Sequence, residues 1–187
     1  RQRLIPTQSC IIVTEKLGVH EVKRLMPKLR MHGNTENLYS YFRPTPNQDR
    51  ILLGSRSFDR HEPSRRSVIY LKKKLVSIFP ELGACKIDYC WLGNVCFTRS
   101  QLPSVFEYDN IYYAAGFAGS GTVWARWLGK KAAELALGIS NQPSMFYGAP
   151  PAKLPFYDGS PWFLPLIHRY YASKDWLKSH KKKASAG

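Results

Sequence analysis

Hydrophobic and polar positions along the chain change rhythm several times, and each change predicts an element. Cys10-Ile11-Ile12-Val13-Thr14, preceded by Ile5-Pro6, is a β-branched run suited to a buried strand. Gly18 and Pro27 then frame a short helical or irregular segment. Leu38–Arg43 (LYSYFR) and Arg50–Arg56 (RILLGSR) read as two strands joined by Pro44-Thr45-Pro46-Asn47-Gln48-Asp49, turn residues that predict an antiparallel hairpin. From Ser64 to Phe79 the apolar residues Val68, Ile69, Leu71, Leu75, Val76, Ile78 and Phe79 recur at helical spacing among Arg and Lys, and Pro80 ends the run. This helix is expected to lie on a sheet.

Two further short strands are predicted at Lys86–Trp91 and Val95–Thr98, broken at Gly93-Asn94. Ile111–Ala115 reads as a buried strand that runs through Gly116, Gly119 and Gly121 directly into a small-residue helix ending at Gly138. Ser120 or Thr122 can cap that helix. Its stripe of Ala125, Gly129, Ala132 or Ala133, and Ala136 would permit close approach to a sheet. Six prolines between Asn141 and Leu166 preclude regular structure there. The segment is expected to be an extended arm whose Phe146, Tyr147, Phe156, Tyr157, Trp162 and Phe163 lie along the body. His168–Leu177 adds a helical turn or two, and the lysine-rich end through Ala184-Ser185-Ala186-Gly187 is expected to be disordered.

Composition narrows the picture. The chain has 187 residues, of which 44% are hydrophobic, enough for one domain with a full core or for a domain plus part of another. It begins at Arg1 with no signal peptide, which reads as a cut or processed chain. No apolar run approaches the roughly 20 residues that span a bilayer, so a soluble, cytoplasmic protein is expected. Cys10, Cys85, Cys90 and Cys96 lack zinc-ligand spacing and stand in or beside apolar segments, as buried thiols in a reducing compartment would. No metal site is expected.

The formal net charge of +15 raises nucleic acid as a partner. Part of that charge lies in Lys178 and Lys181–Lys183, and the rest is spread as on a solvated face. No finger, RNP or KH signature accompanies it, so a nucleic-acid module is the lesser reading.

The strand, glycine turn and helix at 111–138 carry the clearest chemistry. Free amides and the positive end of a helix dipole there suit an anion or an electron-rich ligand atom, and a plain strand-to-helix connection would look the same.

Several pieces in order resemble the C-terminal part of FAD-dependent oxidoreductases of the D-amino-acid oxidase and glycine oxidase superfamily, in particular its γ-glutamylputrescine oxidase-like branch. They are Ile5-Pro6 leading to Ile11–Glu15; Tyr41-Phe42-Arg43 with Ile51–Arg56; Phe79-Pro80-Glu81-Leu82; Trp91-x-Gly93 through Phe97-Thr98 to Leu102-Pro103; and Tyr113–Phe117 with Gly119-Ser120-Gly121. Pro161–Pro165 and Tyr170-Tyr171 resemble the tail of that branch.

The resemblance implies an α+β fold. An antiparallel β-sheet substrate domain with a packed helix would occupy 1–105, the final strand and helix of an FAD-binding domain 106–138, and a Pro- and aromatic-rich arm with a basic tail 139–187. It implies a fragment of a flavoprotein that oxidises a C–N bond of an amino acid or amine by hydride transfer to flavin. A non-enzymatic interaction domain derived from the same fold is the further alternative. The phosphate-binding G-x-G-x-x-G is absent, since Gly116–Gly121 has other spacing, so the N-terminal half of the cofactor site would lie elsewhere. The chain alone is then an empty half-site.

In this resemblance Gly119, Ser120, Gly121 and Thr122 face the pyrimidine edge of the flavin ring. Tyr41, Arg43, Arg56 and Trp91 are the substrate candidates, because a guanidinium holds a carboxylate by two parallel hydrogen bonds and an aromatic walls a pocket. Alternation puts Tyr41 and Arg43 on one strand face, as a solvent-facing pair would also be, and Trp91 reads more as core than as contact. Relatives that attach flavin covalently use a cysteine where this chain has Val95. Cys96 would point the opposite way, which implies non-covalent FAD. No catalytic residue is assigned, and His20, His32, His61, His168 and His180 match no triad or ligand spacing. Ser100 stands where many relatives carry Asp, leaving the local contacts of that turn open.

Overall fold

Alternation in Ile51–Ser57 turns Ile51, Leu53, Ser55 and Ser57 to one face and Leu52, Gly54 and Arg56 to the other, and both faces are used. A computed structural model of the protein describes residues 2–57, 59, 62–139 and 144–184, with side chains described as far as 178. In chain order the elements are β1 (Ile5–Thr14), α1 (Val19–Leu25), β2 (His32–Gly33), β3 (Ser40–Pro44), β4 (Ile51–Ser57), α2 (Arg65–Ile78), a 3-10 turn at Pro80–Ala84, β5 (Ile87–Phe97), β6 (Ser104–Tyr108), β7 (Ile111–Ala115), α3 (Gly121–Ala136) and α4 (Leu164–Ala184). They form two compact units, one of Gln8–Gly93 with Phe163–Gly187 and one of Arg1–Thr7 with Asn94–Trp162. The architecture is α+β.

The first unit holds a five-stranded sheet in the order β2-β3-β4-β1-β5. β4 lies antiparallel between β1 and β3, with Gly54 opposite both Ile11 and Tyr41 and Arg56 opposite Ser9. The face carrying Cys10, Ile12, Ile51 and Leu53 is sealed by Leu71 and Leu75 of α2, by Val22 and Met26 around α1, and by Phe79 and Leu82. Leu71 and Leu75 stand four residues apart on one helical face, as the sequence pattern predicts. Ser64 caps α2 by accepting from the Ser67 amide at 3.2 Å, and Asp59 accepts from the Ser64 amide at 2.9 Å.

α4 is tied to the same unit by a clamp near the surface. Asp175 accepts from the amides of Asn37 and Leu38, both at 3.0 Å, just ahead of β3. From α2, Lys74 reaches the Ser40 hydroxyl at 3.0 Å and the Glu36 carboxylate at 2.8 Å.

In the second unit, β6 and β7 pair as an antiparallel ribbon, and Phe106 stacks on Tyr113 at 5.1 Å. The proline-rich arm is anchored by single aromatics. Phe146 packs between Trp124 and Trp127 at 5.1 and 5.5 Å, and the Tyr157 hydroxyl donates to the Leu4 carbonyl at 2.8 Å. Phe156, by contrast, is exposed.

Several expectations need correction. The predicted strands 86–91 and 95–98 are one continuous β5, because Gly93-Asn94 stays extended instead of turning. β6 was not anticipated. β7 is largely exposed rather than buried, since a two-stranded ribbon covers little of its own surface. Most of the small-residue stripe of α3 is not covered by a sheet among the described residues: Ala125, Gly129, Ala133 and Ala136 are exposed, and Leu128 is the helix's buried residue. Lys178 to Lys183 continue α4 as helix, whereas the last three residues of the expected disordered end lie outside the described residues.

Replacing Leu71 by Ala removes a side chain that is 1% exposed and is expected to cost about 2–5 kcal/mol in urea denaturation. Burial opposes ionisation of Asp175, but the Asn37 and Leu38 amides, the Asn37 side chain and Lys74 outweigh it and hold the carboxyl below its ordinary value. Its contribution is therefore complete above the unfolded value of about 4 and is lost as pH falls through the lower folded value. Asp175→Asn is expected to lower Tm at neutral pH and to converge with the wild type in acid.

Candidate functional site

The second face of the five-stranded sheet gathers the four substrate candidates. Register places Tyr41 and Arg43 of β3 on the same face as Gly54 and Arg56 of β4 and Ser9 and Ile11 of β1. Trp91 lies between Cys90 and Leu92, both packed toward the core, so alternation turns it to this second face as well. It is 42% exposed, which corrects the expectation of a core tryptophan.

Tyr41 lies across Gly54. A Cβ at position 54 would collide with the Tyr41 ring, so the ring occupies space that only glycine leaves. The Tyr41 hydroxyl shares a hydrogen bond of 3.3 Å with Ser9 Oγ, and its ring stacks with Tyr39 at 6.0 Å.

The two arginines differ. Arg43 is exposed and donates to the carbonyl of its neighbour Pro44 at 3.3 Å. Arg56 is half-buried; burial pushes its guanidinium down from the usual value, and Tyr41 partly offsets this. An arginine so placed remains charged at neutral pH.

His168 of α4 is buried within the same unit. Burial, and then the charge of Arg56, push its imidazole below the ordinary histidine value, which keeps it neutral at pH 7. Sequence reasoning gave His168 no role. Its nearness to Arg56 depends on α4 returning to the sheet from far along the chain, and no local motif signals that.

The glycine-rich turn of the second unit is built by left-handed backbone. Gly116, Ala118 and Gly119 have φ of 82°, 54° and 97°. Ala118 in this region is strained, while the glycines adopt it freely. A Cβ on Gly116 would stand 2.5 Å from Thr98 Cγ2, so the turn is seated on a buried threonine. Thr98 in turn donates to the Leu102 carbonyl at 2.7 Å and contacts the Ser100 hydroxyl at 3.2 Å, which settles the local contacts of Ser100. The Ala118 amide donates to the Cys96 carbonyl at 3.0 Å.

Ser120 is the N-cap of α3, yet its side chain makes no capping hydrogen bond. Its φ of −99° and ψ of 30° are neither helical nor extended, so the hydroxyl is not aimed at the third amide as an extended cap residue's would be. This corrects the capping expectation. The Ser120 carbonyl accepts from Val123 and Trp124 at 3.1 and 3.0 Å, and the Ser120 amide donates to Phe117. The amides of Gly119, Gly121 and Thr122 donate to no carbonyl among the described residues, and no acidic residue occupies the first turn. Such a helix start suits an electron-rich ligand edge.

Val95 faces this turn, its Cγ1 lying 3.9 Å from where a Gly119 Cβ would be. Cys96 is half-buried, its thiol pushed up by burial, and it interacts with Tyr157. Among the described residues no cluster of His, Cys, Asp or Glu could hold a metal ion, and no helix is long and apolar enough to cross a membrane. A small part of the basic charge is met locally, by Glu21 at Arg24, Asp88 at Arg50, Glu36 at Lys74 and Glu134 at Lys131.

Comparison with known proteins follows the same lines. The family model described as "DAO: FAD dependent oxidoreductase" matches residues 1–135. Gamma-glutamylputrescine oxidoreductase of Escherichia coli (strain K12) is 30% identical over 182 residues, covering 94% of this chain and 42% of that protein. The chain thus spans about two-fifths of that relative's length. Among solved structures, L-proline dehydrogenase from P. horikoshii superposes with a TM-score of 0.58 at 20% identity, covering 76% of this chain and 38% of that one. Glycine oxidase from Geobacillus kaustophilus gives 0.58 at 17% identity, with 84% and 41% covered. At these identities the structures establish the fold.

Gly54→Ala is expected to displace the Tyr41 ring and to destabilise the protein by about 1–3 kcal/mol in urea denaturation. In a Tyr41→Ala background the same substitution is expected to be nearly neutral, and the difference between the two backgrounds measures the coupling.

Proposed function

The chain belongs to the DAO family of FAD-dependent oxidoreductases, and from that premise we propose that it is the C-terminal part of a longer flavoprotein that oxidises a C–N bond of an amino acid or amine. The observation that carries this reading is the gathering of Tyr41, Arg56 and Trp91 on one sheet face while the other face is sealed into the core. Similarity to a relative named for γ-glutamylputrescine supports an amine or amino-acid substrate. The matched share of that relative's length supports a longer protein.

FAD, when bound, supplies the two-electron acceptor for the substrate C–H bond. The task left to this chain is to hold the substrate and favour charge. Arg56 is suited to clamp a carboxylate: its partial burial strengthens each charge-assisted hydrogen bond, and the planar guanidinium fixes orientation. Tyr41 and Trp91 supply flat walls, and Arg43, exposed beside Tyr41, serves as an outer charge that draws an anionic group toward the face.

In the glycine turn, the free amides of Gly119, Gly121 and Thr122 at the start of α3 fit the pyrimidine edge of a flavin ring. The dipole end there favours negative charge on that edge, and Ser120 contributes its place in the turn rather than a cap. Val95, rather than a cysteine, faces this turn, which supports non-covalent attachment. No G-x-G-x-x-G lies in the chain, so by itself it is a poor holder of FAD. Four free thiols are consistent with a cytoplasmic setting.

The purified full-length protein is expected to carry a visible flavin spectrum, to release its flavin on denaturation, and to bleach anaerobically with an amino acid or amine. Arg56→Met is expected to raise KM for a carboxylate-bearing substrate roughly 10- to 100-fold, with a smaller change in kcat. A colourless protein indifferent to added FAD would overturn the proposal, and an unchanged KM would remove Arg56 from it.

A further inference from the structure

Beneath the substrate-candidate face, the sealed side of the sheet holds two thiols in contact. Cys10 of β1 and Cys90 of β5 lie on neighbouring strands, 80 residues apart in the chain, with their Sγ atoms 3.4 Å apart. Paired strands run about 5 Å apart, inside the Cα separations that disulfides adopt. Closing the remaining gap to an S–S bond of about 2 Å therefore asks for side-chain rotation rather than strand movement. Cys85 and Cys96, the other two thiols, have no sulfur neighbour among the described contacts.

The two positions are not equivalent. Cys10 is fully buried, whereas Cys90 on the edge strand is partly exposed. Either sulfur can donate in this contact; it raises the Cys10 thiol and lowers that of Cys90, so the proton is lost more readily from Cys90. Burial, Cys90 and the nearby Asp59 carboxylate push the Cys10 thiol up to about 12, while burial and Asp59 also raise Cys90. Little thiolate is present at neutral pH, so any oxidation here is slow and suits sustained exposure to oxidant.

We propose that Cys10 and Cys90 are an oxidisable pair, closed by peroxide into an intramolecular disulfide that staples β5 to β1. Cys90 as thiolate attacks one oxygen of hydrogen peroxide; the O–O bond breaks, hydroxide leaves and takes up the thiol proton as water, and a sulfenic acid forms on Cys90. Cys10 then attacks that sulfur, the S–O bond breaks, and a second water leaves with the Cys10 proton. Two thiols and one peroxide give one disulfide and two waters. Because Trp91 follows Cys90 directly, the staple also pins the strand that presents this tryptophan to the opposite face.

The test treats the full-length protein with hydrogen peroxide, blocks remaining thiols, and digests it without reduction. Mass spectrometry is expected to find the Cys10 and Cys90 peptides linked, lighter by two hydrogens than the separate pair, and released by dithiothreitol. Cys10→Ser is expected to trap Cys90 as sulfenic acid or a higher oxide, with no linked peptide. Recovery of both thiols blocked after peroxide has fully oxidised added glutathione would overturn the proposal, as would linkage of either cysteine to Cys85, to Cys96 or to a second molecule. The readout in the unaltered protein stands even where a serine variant fails to fold.

Discussion

Register between β4 and its two neighbours is the constraint on which the candidate substrate face depends. A β-strand offers only two faces, and a slip of one residue exchanges them wholesale. In Ile51–Ser57 that exchange would drive Arg56 into the hydrophobic layer under α2 and bring Leu53 out of it. The apolar layer of Cys10, Ile12, Leu53, Leu71 and Leu75 therefore does more than stabilise the unit: it dictates which residues are left for chemistry on the far side. Lys74 and Asp175 act on the same strand pair from the other direction, by gripping the segment that leads into β3.

The glycine turn obeys a different logic, in which backbone rather than side chains is the material. Gly116 is pressed against Thr98, Ala118 is held left-handed by its bond to the Cys96 carbonyl, and Ser120 closes the first turn of α3 with its carbonyl instead of its hydroxyl. What results is a helix start whose leading amides, among the described residues, are neither capped by the N-cap side chain nor neutralised by an acidic residue of the first turn. Electrostatic stabilisation by fixed amides needs no titratable group and hence does not depend on pH across the neutral range.

Much of this was legible in the sequence. The hairpin of β3 and β4 announced itself through two β-branched or aromatic runs flanking Pro-Thr-Pro-Asn, and α2 through its 3.6-residue apolar rhythm and the serine before it. Pairing of Tyr41 with Arg43 on one face followed from alternation alone. Other features were hidden because they depend on distant partners. Nothing near Gly54 says that Tyr41 will lie over it, and nothing near His168 says that Arg56 is its neighbour. Gly93-Asn94 looked like a break because glycine and asparagine favour turns, yet strand pairing and the continuing chain keep them extended. The stripe on α3 was read correctly as small, but smallness permits close packing without supplying the partner, and among the described residues most of the stripe stays exposed.

The clamp between Asp175 and the segment before β3 joins residues 138 positions apart. Ribosomes release a chain from its N-terminal end, so Gln8–Gly93 emerges ahead of residues 94–162 and must wait while these are made before α4 exists to be docked. During that interval the amides of Asn37 and Leu38 have only water to bond, and Arg56 has no imidazole beside it. The sheet of Gln8–Gly93 is thus made well before the helix that completes it, and the neighbourhood of its half-buried arginine is finished only after residues 94–162 have been translated.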